Sequence, residues 1–167
     1  MCWRDHLHQS LKRLSKGEHL PRLAVVGIGN ELRGDDSAGL LLARAIQQHP
    51  GRNGRLMAVE ACSAPENFVG TLCRFHPDLV LMVDAARMEE QPGEIRWLDW
   101  KNVRGLKLST HTLPLNIFAS YLIAEMGCEV ALLGIQLADT TFDSPPCPAV
   151  LKAVDAIFDE LVREDIE

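Results

Sequence analysis

The sequence predicts a three-layer α/β/α domain, and three observations carry that prediction. Leu23-Ala24-Val25-Val26 and Leu79-Val80-Leu81-Met82-Val83 are unbroken apolar runs, as strands covered on both faces require. Segments with apolar residues at helical spacing alternate with such runs along the chain. The 167 residues suit one core, and 47% apolar composition is that of a globular chain.

The elements follow in order. Residues 1–20 read as an amphipathic helical extension, with Trp3, Leu7, Leu11 and Leu14 in one stripe and Gly17 as a stop. It is expected to lie on the surface of a single domain spanning 21–167, although a docking role for a partner also fits. Strand one covers about 22–28. Helix one, about 37–49, buries Leu40, Leu41, Leu42, Ala45 and Ile46, and Pro50-Gly51 and Asn53-Gly54 break the chain after it. Strand two covers about 55–60. Ser63 and Glu66 have the spacing of a capping box for helix two, which presents Phe68, Leu72 and Phe75 and stops before Pro77. Strand three, 79–83, ends at Asp84.

Strand four, about 94–100, differs in kind. Ile95 and Trp97 alternate with Glu94 and Arg96, so one face is wet, as on an edge strand. Its connection to strand three is too short for a crossover helix, which makes it antiparallel. Residues 101–112 read as loop. Thr112 can cap a third helix with Pro114 in its first turn, core residues Ile117, Phe118, Tyr121, Leu122 and Met126, and Gly127 as its end. Strand five covers 130–135. A last helix presents Val150, Val154, Ile157, Phe158 and Leu161.

Composition excludes several function classes. A net charge of -6 without a basic stripe argues against nucleic acid as partner. Five cysteines without C-x-x-C spacing read as reduced thiols of a cytoplasmic protein. No apolar run reaches the roughly 20 residues of a membrane span, and the N-terminus is too polar for a signal peptide.

The residues with chemical potential gather after the strands. Gly27-Ile28-Gly29-Asn30 resembles the start of a phosphate cradle, but Leu32 stands where a dinucleotide fingerprint has its third glycine, and G-K-[ST] is absent. The glycines then serve a tight turn or a close backbone approach, with a substrate chain as a possible neighbour. Asp36, just ahead of a helix, fits an ordinary N-cap. Asp84 fits a turn acid, and His111 a surface loop. Yet Asp36 and Asp84 both follow apolar strands. If strand two lies outside strand one, the two acids share the crevice at the switch point of the sheet, where they can share a proton or hold a cation. With His111 they compose a donor set for a borderline divalent metal. No G-x-S-x-G occurs, and Cys62 has no histidine placed in sequence to activate it.

Together these motifs resemble the hydrogenase maturation endopeptidases, which trim the C-terminal extension of [NiFe]-hydrogenase large subunits after nickel insertion. The resemblance spans about 22–163. It rests on Gly27-Ile28-Gly29-Asn30, Leu32, Asp35, Asp36 and Gly39, on Val83-Asp84-Ala85, and on Ser109-Thr110-His111. Ser63-Ala64-Pro65-Glu66-Asn67, Pro114-Leu115-Asn116 and Leu133-Gly134-Ile135-Gln136 are most similar to the branch serving formate-hydrogenlyase-type hydrogenases. The resemblance implies a phosphorylase/hydrolase-like fold with a five-stranded mixed sheet, order 2-1-3-5-4, strand four antiparallel. It implies Asp36, Asp84 and His111 as catalytic, nickel-contacting residues, with Gly27, Gly29, Asn30 and Glu60 against the substrate. Nickel would arrive on the precursor, with no organic cofactor. The sequence departs in one place: Glu60-Ala61-Cys62 stands where the family often has Asp-Gly-Gly. Two other classes fit the same crevice, a non-catalytic chaperone for the precursor and a small-molecule α/β enzyme.

Overall fold

The structure is a computed structural model that describes residues 1–103, 107–108 and 113–166. Its elements are α1 (Trp3–Leu14), β1 (Leu23–Ile28), α2 (Ala38–Gln48), β2 (Leu56–Cys62), α3 (Val69–Phe75), β3 (Leu79–Arg87), β4 (Ile95–Leu98), β5 (Lys107–Leu108), α4 (Leu115–Met126), β6 (Glu129–Gln136) and α5 (Pro148–Ile166). The long strands stand in the order β2-β1-β3-β6-β4, the order the resemblance implies. All pairs are parallel except β4 with β6. The two-residue β5, within the stretch expected to be loop, adds antiparallel to the far end of β3.

The apolar strands are buried because helices cover both faces. On one face α1, α2 and α5 pack through Leu7, Leu42, Ile46, Val154 and Ile157 against Val25, Leu81 and Leu133. On the other, α3 and α4 pack through Leu72, Phe118 and Leu122 against Val26, Met82 and Leu132. α1 shares the first of these cores. Its stripe of Trp3, Leu7 and Leu11 is buried, and burial of each such side chain contributes about 1.5–3 kcal/mol. His6 stacks on Trp97 of β4, and Arg4 and His8 both reach Glu160 of α5.

Several local expectations are corrected. α1 ends at Ser15, whose N–H bonds the Leu11 carbonyl, and Gly17 lies in the following turn. A 3-10 turn, Gly34–Ser37, precedes α2, whose N-cap is Ser37, and Leu41 and Ala45 are only half-buried. A second 3-10 turn, Pro65–Phe68, precedes α3; its N-cap is Ala64, with no side-chain cap, in place of a Ser63 box. Pro114 takes the N-cap of α4, and Ile117 and Tyr121 are exposed. Thr112, expected as that cap, lies outside the described residues.

Candidate active site

The opening of the site follows from strand length. β1 pairs with β3 only as far as Gly27 opposite Val83. β3 continues through Asp84 to Arg87, held on its other side by β6 up to Ala86 opposite Gln136. β5 then meets Ala86 and Arg87. Asp84 therefore lies inside a strand, next to where β1 leaves, and is fully buried. It is not the turn acid of the simpler reading.

Asp36 arrives by close packing of α2. A Cβ at Gly39 would collide with the Val83 carbonyl and lie 2.5 Å from the Ile28 carbonyl oxygen, so α2 starts wedged between the ends of β1 and β3. Gly29, at φ +147°, has no room for a side chain because the Asp36 carbonyl oxygen occupies that place. A Cβ at Gly27 would overlap the Gly39 carbonyl. The room at Gly27 and Gly29 thus holds this chain's own helix start, the close backbone approach that was one of the two readings of the sequence. The Asn30 N–H bonds the Asp36 carbonyl at 3.1 Å, and the 34–37 turn lies against β3. Asp36 is 7% exposed and sits one residue ahead of the α2 N-cap. The structure thus brings together the elements that carry the two acids. His111 lies outside the described residues. Among the described residues no group of three or more His, Cys, Asp or Glu is placed to hold a metal.

Neighbouring residues divide the remaining work. Asp35, fully buried, accepts the backbone N–H groups of Ala138 (2.7 Å), Asp139 (2.9 Å) and Cys147 (2.6 Å), and its own N–H bonds the Asp139 carbonyl. One carboxylate thereby ties the β6–α5 loop to the β1–α2 loop. Glu60 is held by Arg44 of α2 at 2.7 Å, and Arg44 also reaches Glu31 at 3.1 Å. Those two carboxylates raise the Arg44 pKa. Asn30 is exposed, and its side-chain oxygen accepts the Leu32 N–H. Cys62 is exposed at φ 53°, in the left-handed region where glycine is favoured, and its carbonyl accepts the Gly29 N–H. The anchoring role of Asp35 escaped sequence reasoning. Its signal was the double acid: one carboxylate of the pair is consumed by backbone amides. Two cavities are lined by none of these residues. One of about 290 Å³ is lined by Leu11, Pro21, Leu23 and Leu56, and one of about 490 Å³ by Trp3, His6 and Trp97.

The fold is a three-layer α/β domain that carries two buried acids, Asp36 and Asp84, on adjoining elements at the carboxyl end of the sheet, where such sheets place their sites. The comparisons with known proteins make the class specific. A family model described as hydrogenase maturation protease matches residues 40–164. A putative hydrogenase maturation protease of Methanocaldococcus jannaschii is 31% identical over 160 residues, 92% of each chain. The hydrogenase 3 maturation protease of Escherichia coli K12 is 35% identical over 135 residues, 80% of this chain and 85% of its own. The crystal structure of a [NiFe] hydrogenase maturation protease from Thermococcus kodakarensis superposes with a TM-score of 0.79 at 30% identity, covering 88% of this chain and 94% of that one. The chain belongs to the hydrogenase maturation protease family and is a hydrolase. The likeness to the hydrogenase 3 protease agrees with the branch indicated by the sequence.

Proposed function

We propose that the chain is the endopeptidase that removes the C-terminal extension of a [NiFe]-hydrogenase large-subunit precursor, in the cytoplasm, once nickel is inserted. One observation carries the reading: Asp36 and Asp84, both buried, are borne by adjoining elements where β1 stops and β3 runs on. Buried carboxylates are costly to keep; Ser37, not Asp36, is the N-cap of α2, and Asp84 lies within β3 and not in a turn. His111 completes the donor set. Leu108, three residues before it, pairs with Ala86, two residues beyond Asp84. Among the described residues no helix is long and apolar enough to cross a membrane, which suits a protease meeting its precursor in the cytoplasm.

Nickel is part of the substrate. It arrives on thiolates of the precursor, which are soft ligands, and Asp36, Asp84 and His111 supply the harder ones. Docking the metal fixes the scissile peptide beside it. A water then attacks the carbonyl, activated by nickel as Lewis acid or by a carboxylate as base. Asn30 and the Arg44-held Glu60 flank the entering chain. Gly27 and Gly29 act behind them, by letting α2 approach.

The test is incubation with nickel-loaded and nickel-free precursor, read by intact mass. Only the loaded form should lose its extension. Asp36→Ala, Asp84→Ala and His111→Ala should each lower the rate by at least about 100-fold in a folded protein. Full cleavage by any two of them would end the triad. Complex formation without any change of mass would make the chain a chaperone.

A further inference from the structure

We propose that Leu32 and Phe142 form an apolar lip that seats the nickel-bearing precursor segment beside the scissile bond; the proposal rests on the function given above. Leu32 is 51% exposed and Phe142 63% exposed. Single exposed apolar residues are ordinary. These two stand on different loops, more than 100 residues apart in sequence, and the loops are joined where they occur. The Asp143 N–H bonds the Leu32 carbonyl at 2.8 Å. Asp35 clamps the two loops through three amides, and a Cβ at Gly34 would lie 2.6 Å from the Asp139 carbonyl oxygen. The lip is therefore preformed, and a ligand that covers it meets little ordering cost.

Its position and charge name the occupant. Leu32 follows Asn30, whose N–H bonds the Asp36 carbonyl, so the lip adjoins the acids. Glu31, Asp139 and Asp143 stand on the same loops, Glu60 lies at the end of β2 beside β1, and Asp36 and Asp84 are buried where α2 meets β1 and β3. Arg33, Arg44 and Arg87 are the cations on the loops and strands that carry these acids, fewer than the acids, and Arg44 is already held by Glu31 and Glu60. The mouth is thus acidic with one apolar edge. A polypeptide segment carrying a divalent metal and an apolar side chain complements both properties. A second copy of this chain, itself net negative, does not.

The experiment is steady-state cleavage of the nickel-loaded precursor by Leu32→Ser/Phe142→Ser, whose substitutions lie on the surface. KM should rise at least about tenfold, equivalent to about 1.4 kcal/mol, with kcat within about twofold. Leu32→Met/Phe142→Leu should restore KM. An unchanged KM overturns the lip, as does a fall in kcat alone. So does conversion of a dimer to a monomer in sedimentation with affinity for the precursor intact, which would assign the surface to self-association. The proposed function fails by a different sign, a wild-type chain that leaves the precursor uncut. Titration of loaded precursor against wild type and variant then still reads the lip, because the dissociation constant must rise at least about tenfold if the lip holds.

Discussion

At the scale of single residues, two adjacent acids show how different fates hide in one motif. Asp35 and Asp36 are equivalent as text, yet Asp35 spends both oxygens on three backbone amides. Hydrogen bonds to a charged group are worth about 1.5–3 kcal/mol each, so Asp35→Ala should cost at least about 3 kcal/mol in urea unfolding. That loss concerns stability, whereas Asp36→Ala should lower rate with the fold intact. Asp139 makes a pH prediction. Hydrogen bonds from the Thr141 side chain and N–H hold its carboxyl below the ordinary value of 3.8. A depressed carboxylate favours the fold above its unfolded value and loses that effect as pH falls through the lower folded one. The 139–144 turn should therefore stay intact at pH 5 and above and loosen only below pH 3.8, which the Thr141 amide shift in an NMR titration would report. Burial pushes the Cys128 thiol up to about 11. Alkylation at pH 8 should mark the exposed Cys2 and Cys62 and spare Cys128, as peptide mass mapping would show. At this scale, the candidate site was legible as residue type, which marks Asp36 and Asp84 as candidates, and the structure finds both buried. It was illegible where the decisive partners are backbone amides 100 residues away, because those leave no mark on composition.

At the scale of elements, strands were read more surely than their ends. Apolar runs identify β1 and β3, but the last residues of β3 are bracketed by two charged ones, Asp84 and Arg87, so the run stops at Val83 when read as sequence. They remain strand because β6 pairs with them as far as Ala86 and β5 pairs with Ala86 and Arg87. The starts of the helices shifted for a related reason. Capping patterns mark α2 and α3 at their first turn, but each is preceded by a 3-10 turn that delays the helix. β4 was recognised correctly as an antiparallel edge, since its alternation reports exposure directly. The glycines of the opening motif belong to this scale too. They fix the depth to which α2 sinks between β1 and β3, a property of two elements and not of one turn. Gly39→Ala should be intolerable, costing more than about 3 kcal/mol, because the obstruction is backbone on both sides. Gly54→Ala, with nothing within 4 Å but a φ of +64°, should cost only about 1–2 kcal/mol. Thermal unfolding of the two variants side by side separates close packing from turn strain.

At the scale of the whole molecule, the layer order and strand order follow from pattern and resemblance, whereas the place of residues 1–20 required the structure. The stripe of α1 predicted a buried face but could not name what covers it. We expect α1 to unfold with the remainder: Leu7→Ala should cost about 2–5 kcal/mol in a single transition seen equally by tryptophan fluorescence and circular dichroism. A separate early transition would mark 1–20 as an independent extension. The contact of Arg4 and His8 with Glu160 joins the first helix to the last, across 156 and 152 residues. This has a consequence for synthesis. As the chain leaves the ribosome, α1 emerges well before its anchor on α5. Until α5 is made the apolar stripe of α1 waits without that partner, so the fold closes only when α5 is released. Truncated nascent chains ending before Pro148 should therefore remain sensitive to protease within residues 3–14, and full-length released chains should not.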